Sequence, residues 1–311
     1  MKQNNPRLVV LYRLKCMALL VLLGCMLFPH DSIWGQDRIP AYISPGKGTK
    51  KMKQMKEMTR ATDTIFVQSS LPAAFRETGP NEIVDSIGLL SPVFERFRLL
   101  HAGLSEDTVR IVHLGDSHVR GHIYPRTAGE KLAETFGAVS YVDMGVNGAT
   151  CLTFTHPARI AEVAALNPDL LILSFGTNES HNRRYNANMH YQQIKELFVL
   201  LQDSLPKVPI LLTTPPGSYE SFRQKRRRRT YAVNPRTATA AETIRRFAVD
   251  QRLLVWDMYD VVGGRRRACA NWTDAKLMRP DHVHYLPEGY ILQGNLLYQA
   301  LINAYNNYVT Y

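Results

Sequence analysis

The 311-residue chain is 45% hydrophobic and 21% charged, ordinary proportions for a globular protein. Four cysteines and 19 glycines exclude a disulfide-stapled miniature and a collagen-like repeat, and the apolar content excludes a wholly disordered chain. Thirty-eight Lys and Arg against 27 Asp and Glu give a formal charge of +11, which suits a nucleic acid, an anionic envelope polymer or a membrane surface equally well.

Lys2, Arg7, Arg13 and Lys15 precede an uncharged apolar run of 13 residues from Cys16 to Phe28. That is too short to span a bilayer but normal for the core of a secretory signal. Residues 1–35 are therefore expected to be a signal peptide cleaved after Gly35, with a retained membrane anchor or lipid attachment at Cys25 as alternatives. All three place the body outside the cytoplasm, in the periplasm or cell envelope. Beyond residue 35 there remain 34 basic and 26 acidic residues, so a charge of +8 belongs to the body itself. An exported chain rarely meets nucleic acid, which is not an expected partner. Cys151 and Cys269 are the cysteines left, either paired or both free, and no zinc-ligand spacing is present.

Residues 36–90, rich in Lys, Met, Gly and Thr, are expected to form a basic, largely unstructured tether. Ser91-Pro92 then signals a helix start, with Phe94, Phe97, Leu100 and Leu104 at three- and four-residue steps. Buried strands are expected at 109–115, 140–144, 170–176, 209–214 and 253–257. Helices are expected at 123–136, at 189–205, through Ile244 and Phe247, and from 287 to 308. A long basic loop follows the fourth strand. Short apolar strands spaced by helices specify an α/β class, a five-stranded parallel sheet of flavodoxin-like order covered on both faces. Its functional edge lies at the C-terminal strand ends. One domain is expected over 91–311.

Four polar pieces fall at those ends: Gly115-Asp116-Ser117-His118, the Gly145 to Gly148 stretch, Gly176-Thr177-Asn178-Glu179, and Asp281-His282-Val283-His284. Their order and spacing resemble the SGNH, or GDSL, hydrolase superfamily over roughly residues 109–310. That resemblance implies a three-layer α/β/α sandwich and acyl-ester hydrolysis. It implies Ser117 as nucleophile, His284 as general base and Asp281 as the group orienting His284. Gly148 and Asn178 would complete the oxyanion hole with the Ser117 N–H, and no metal or other cofactor is implied. Chemistry supports the same roles. A serine hydroxyl needs a neighbouring base, and imidazole suits that task near neutral pH. A carboxylate three residues earlier can fix its tautomer, and a tetrahedral oxyanion needs preorganised donors.

Asp116-Ser117-His118 also spells the DxH start of metallophosphoesterases, but the later GDxxD and GNH[DE] segments are absent. The Gly-x-Ser-x-Gly elbow of the α/β-hydrolases is absent too. The stretch from His118 to Gly137 resembles the envelope branch of peptidoglycan O-acetylesterases, and the tail resembles exported GDSL-like proteins of Bacteroidetes. Gly121-His122 departs from that branch, which often carries Asp or Asn there. His118 either lines the substrate pocket or packs against a neighbouring loop, and His282 is expected to face outward. Arg226, Arg227, Arg228 and Arg229 on the basic loop, with Arg265 to Arg267, are candidates for a collar holding an anionic glycan. The expected function is an exported serine esterase removing O-acetyl groups from peptidoglycan or another polysaccharide. The alternatives are a polysaccharide O-acetyltransferase with the same triad and a non-catalytic glycan-binding envelope protein.

Overall fold

A computed structural model describes residues 63–67, 71–224 and 229–310. The expected signal sequence with Cys25, the first part of the tether, and Arg226, Arg227 and Arg228 lie outside the described residues. Among those described, no helix is long and apolar enough to cross a membrane.

The elements in chain order are β1 (Ile83–Val84), α1 (Ser91–His101), β2 (Val109–Gly115), α2 (Ser117–Arg120), α3 (Ile123–Phe136) and β3 (Val139–Gly145). A 3-10 turn (Cys151–Phe154), α4 (Pro157–Ala165), β4 (Leu170–Ser174), α5 (Thr177–His181), α6 (Ala187–Ser204) and β5 (Ile210–Thr213) follow. Then come β6 (Tyr219–Arg223), β7 (Arg229–Val233), α7 (Pro235–Gln251), β8 (Leu254–Trp256), α8 (Met258–Val261), α9 (Gly264–Asp274) and α10 (Pro287–Thr310). The main sheet runs β1-β8-β5-β4-β2-β3. Its five strands from β3 to β8 are mutually parallel, in the expected flavodoxin-like order, and β1 adds a two-residue antiparallel edge on β8.

Alternate residues of each strand enter opposite layers, because strand side chains alternate across the sheet. Ile111, Leu170, Ile172, Leu211 and Trp256 pack under α1, α3 and α10, against Phe97, Leu132, Phe136, Leu297 and Tyr305. Val112, Leu114, Leu171, Leu173 and Leu212 pack under α6 and α7, against Ile194, Leu197, Leu201 and Phe247. Strands buried on both sides read as continuous apolar runs. Phe97 stacks on Phe136 with centroids 4.3 Å apart, and each such buried ring contributes roughly 1.5–3 kcal/mol through apolar burial.

The domain begins earlier than residue 91, correcting the expected extent of the tether. Phe75 is buried edge-on against Trp272. Asn81 Oδ1 accepts from Trp256 Nε1 at 2.8 Å, and its Nδ2 donates to the Leu296 carbonyl at 2.9 Å. Asn306 exchanges two 2.8 Å bonds with the Ile65 backbone. These anchors join positions about 200 residues apart and carry no local periodicity, so the sequence conceals them. The expected basic loop is likewise a structured β6–β7 hairpin.

One buried histidine gives the fold a pH response. His113 lies in β2, its Nδ1 bonded to the Tyr141 hydroxyl (2.8 Å) and its Nε2 to Ser174 Oγ (2.6 Å). Burial lowers its pKa from 6.5 to about 3. The unfolded chain therefore binds a proton that the native state refuses between those values. Its stabilising contribution is full above pH 6.5 and declines as pH falls toward 3, by up to about 1.4 kcal/mol per pH unit. A His113→Gln variant is expected to be less stable at pH 7 yet to lose stability less steeply below pH 6.5. Urea titrations at several pH values measure this, and an unchanged acid slope would refute it.

Candidate active site

The functional edge is built where β2, β3 and β4 end. β2 stops at Gly115, and Asp116 caps the one-turn helix α2 by accepting the His118 N–H on Oδ1 at 2.9 Å. This places Ser117 at the first helical position, half-buried. Gly145 must be glycine because a Cβ there would lie 2.0 Å from the Arg120 backbone nitrogen. The close approach brings the β3 end, and with it the Gly148 loop, beside Ser117.

The loop before α10 completes the arrangement. Ser117 Oγ is 3.0 Å from His284 Nε2, and His284 Nδ1 is 2.9 Å from Asp281 Oδ2. Asp281 Oδ1 also accepts the Val283 and His284 N–H groups, each at 2.9 Å. Partial burial alone would raise the Asp281 pKa. The two backbone donors and the His284 imidazole outweigh it and hold the carboxyl at about 2. An ionised Asp281 requires a proton on Nδ1, which leaves the Nε2 lone pair facing the Ser117 hydroxyl. The geometry can thus take the hydroxyl proton as oxygen attacks an acyl carbon, then return it to the leaving alcohol.

The three residues expected to donate to an oxyanion stand at these strand ends. The Ser117 N–H opens α2, and Gly148 has φ +73, a left-handed conformation that favours glycine. Asn178 Nδ2 donates to the Ala149 carbonyl at 2.9 Å and to Asp116 Oδ2 at 3.3 Å. Both bonds hold the Asn178 amide in place. Asp116 is itself buried, which raises its pKa to about 7 against the opposing pull of the His118 N–H. Glu179 was not singled out in the sequence as a site group. It bridges the two donor loops, taking the Gly176 N–H and the Cys151 N–H at 2.9 Å each. Its place three residues after Gly176 is capping-box spacing, a signal the sequence did carry.

The structure places the other named residues. His118 is 5% exposed, with Nδ1 bonded to the Tyr290 hydroxyl at 3.0 Å and its ring 5.5 Å from that of His284. Burial, followed by the proximity of the His284 imidazole, lowers its pKa to about 3, so it packs against His284 as a neutral ring. His282 does not face freely outward. It has φ +55 and lies against Tyr219 and Tyr231 of the β6–β7 hairpin, with centroids 5.2 and 4.3 Å away. The Tyr219 N–H donates to the His282 carbonyl at 2.9 Å, so the hairpin grips the loop bearing Asp281 and His284. Arg229 is exposed at the start of β7, opposite Arg223. Arg265, Arg266 and Arg267 sit on α9, where each faces a carboxylate: Glu242, Glu77 and Asp274. Cys151 and Cys269 are both free and buried.

A family model described as GDSL-like lipase/acylhydrolase matches residues 113–292, a span running from β2 through His284 into α10. The chain belongs to the GDSL-like lipase/acylhydrolase family. It is an ester hydrolase of that family. Among solved structures, it resembles a peptidoglycan O-acetylesterase at 16% identity, with a TM-score of 0.65 and coverage of 72% of this chain and 99% of that one. A GDSL-like lipase from Bacteroides thetaiotaomicron aligns at 21% identity and TM-score 0.44, covering 69% of this chain and 99% of that one. A carbohydrate acetylesterase from Sinorhizobium meliloti aligns at 11% identity and TM-score 0.47, covering 63% of this chain and all of its own, 100%. No curated protein matches the chain. The first of these likenesses carries the GDSL-like fold: six strands, five of them parallel, between two helical layers.

Proposed function

We propose that this GDSL-like hydrolase removes O-acetyl groups from a polysaccharide, with peptidoglycan the leading candidate, and that it works outside the cytoplasm. The observation that carries the chemistry is the continuous chain Ser117 Oγ, His284, Asp281, at 3.0 and 2.9 Å. Ser117 attacks the ester carbonyl while His284 takes its proton. The oxyanion rests on the N–H groups of Ser117 and Gly148 and on the Asn178 amide. His284 then protonates the leaving sugar hydroxyl, and water, activated by the same imidazole, releases acetate.

A polymer is favoured by the exposed hairpin carrying Arg223 and Arg229, and an anionic glycan would suit the basic run through Arg226, Arg227 and Arg228. The fold likeness to a peptidoglycan O-acetylesterase points the same way, as does the N-terminal segment read as an export signal.

The test is acetate release from O-acetylated peptidoglycan beside acetylated xylan, with and without an added oligosaccharide acceptor. Free acetate, faster from peptidoglycan and absent with Ser117→Ala, is the expected result. Preference for xylan would reassign the substrate, and acetyl appearing on the acceptor would make the protein a transferase.

A further inference from the structure

Beside the oxyanion loops lies a buried cluster of which only Glu179 has been given a role above. Cys151, Glu179 and His190 are all buried, and one donor atom from each lies within 4.8 Å of the other two. His190 Nε2 faces Glu179 Oε1 at 3.9 Å and has no hydrogen-bond partner, although the residue is only 1% exposed. Its other nitrogen, Nδ1, is held by the Tyr185 hydroxyl at 2.9 Å, and that hydroxyl is 3.2 Å from Thr243 Oγ1. An imidazole oriented through one nitrogen, with the other bare and aimed at a thiol and a carboxylate, has the form of a metal ligand and its supporting partner.

We propose that Cys151, Glu179 and His190 bind a divalent transition-metal ion, with zinc the best fit. A thiolate, a carboxylate and a neutral imidazole are the donor types zinc takes together, and they balance its charge among buried side chains. Binding releases the thiol proton to bulk water as the sulfur–metal bond forms, with no change of oxidation state. Donors around tetrahedral zinc stand roughly 3.3–3.8 Å apart, so the side chains need to close by about an ångström. Each Glu179 oxygen spends one lone pair on a backbone N–H and keeps another for an ion. An adjoining cleft of about 120 Å³, lined by Asn178, Glu179, Tyr185, Asn186, His190 and Gln193, offers entry and space for a solvent fourth ligand.

The position suggests what the ion does. Cys151 follows the Gly148 loop, Glu179 follows Asn178, and His190 belongs to α6. An ion there would clamp the two loops that present the oxyanion donors onto a core helix. It would be a positioning device. The binding claim stands independently of the esterase reading, and its readout needs no substrate.

The experiment uses the full chain, purified without a histidine tag, stripped by chelator and titrated with cobalt(II). One equivalent is expected to bind with a thiolate-to-cobalt absorption band, and added zinc should abolish that band. Zinc should also raise the thermal midpoint of the stripped protein. Cys151→Ala should lose the band and the thermal response, and His190→Ala should weaken binding severely. Tyr185→Phe keeps all three ligands and removes the hydroxyl that bonds His190 Nδ1 and Thr243, so roughly 10–100-fold weaker cobalt binding is expected even if the other variants fold poorly. No thiolate band in the stripped wild type at millimolar cobalt would overturn the proposal. So would a band undiminished in Cys151→Ala, which would place the ion on Cys16, Cys25 or Cys269.

Discussion

Replacing Ser117 by alanine is expected to lower kcat/KM for an aryl acetate by roughly 10⁴–10⁶, leaving a slow background that the remaining oxyanion donors support. The size follows from the geometry. The Ser117 hydroxyl is the group that His284 Nε2 reaches, at 3.0 Å, and without it no acyl-enzyme can form. Because Ser117 and His284 act as one unit, the double variant should be scarcely slower than either single one. The side chain is small and half-buried at the start of α2, so the thermal midpoint should hardly move. Measuring both quantities on the same preparation separates lost chemistry from lost fold. Equal turnover by wild type and variant would remove Ser117 from the reaction.

The second large effect is expected at Asn178. Truncation to alanine removes the side-chain donor proposed for the developing oxyanion and should cost about 10²–10³ in kcat, or roughly 3–4 kcal/mol, with little change in KM. Asn178 also fastens the Gly148 loop, because its amide bonds the Ala149 carbonyl at 2.9 Å and Asp116 Oδ2 at 3.3 Å. A purely structural role would therefore lower the thermal midpoint and raise KM together. A direct role leaves KM nearly fixed while kcat falls. Steady-state kinetics beside thermal melts decide between them, and a variant with unchanged kcat would leave the hole to Ser117 and Gly148 alone.

The parts of this molecule that were legible in its sequence are those written in local pattern. β2, β4 and β5 read as apolar runs because both faces of a parallel strand are buried, and the four polar pieces could be found because parallel strands bring their C-terminal ends to one edge. Gly148 was legible because its positive φ suits few other residues. What escaped depends on partners far away in the chain. Phe75, Asn81 and β1 look like part of a polar tether until Trp272, Trp256 and Leu296 are beside them. Leu104 keeps the helical step, yet α1 ends at His101 and leaves it 70% exposed. His118 reads as a pocket group from its place after the serine, but Tyr285 and Tyr290 close over it. The clamp of Tyr219 and Tyr231 on His282 was illegible because the basic composition of that stretch conceals two short strands. Cys151, Glu179 and His190 carry no ligand spacing because three separate elements bring them together.

Trapping the acyl-enzyme is the sharpest measurement. Rapid acid quench of the protein during turnover of an aryl acetate, followed by intact mass and peptide mapping, reports where the acyl group travels. One acetyl group on the peptide containing Ser117 is the expected result, with no such adduct in Ser117→Ala and a longer-lived one where His284 is replaced after acylation by an activated ester. Turnover by the wild type with no adduct at Ser117, or with the adduct on another residue, would contradict a serine mechanism at this site.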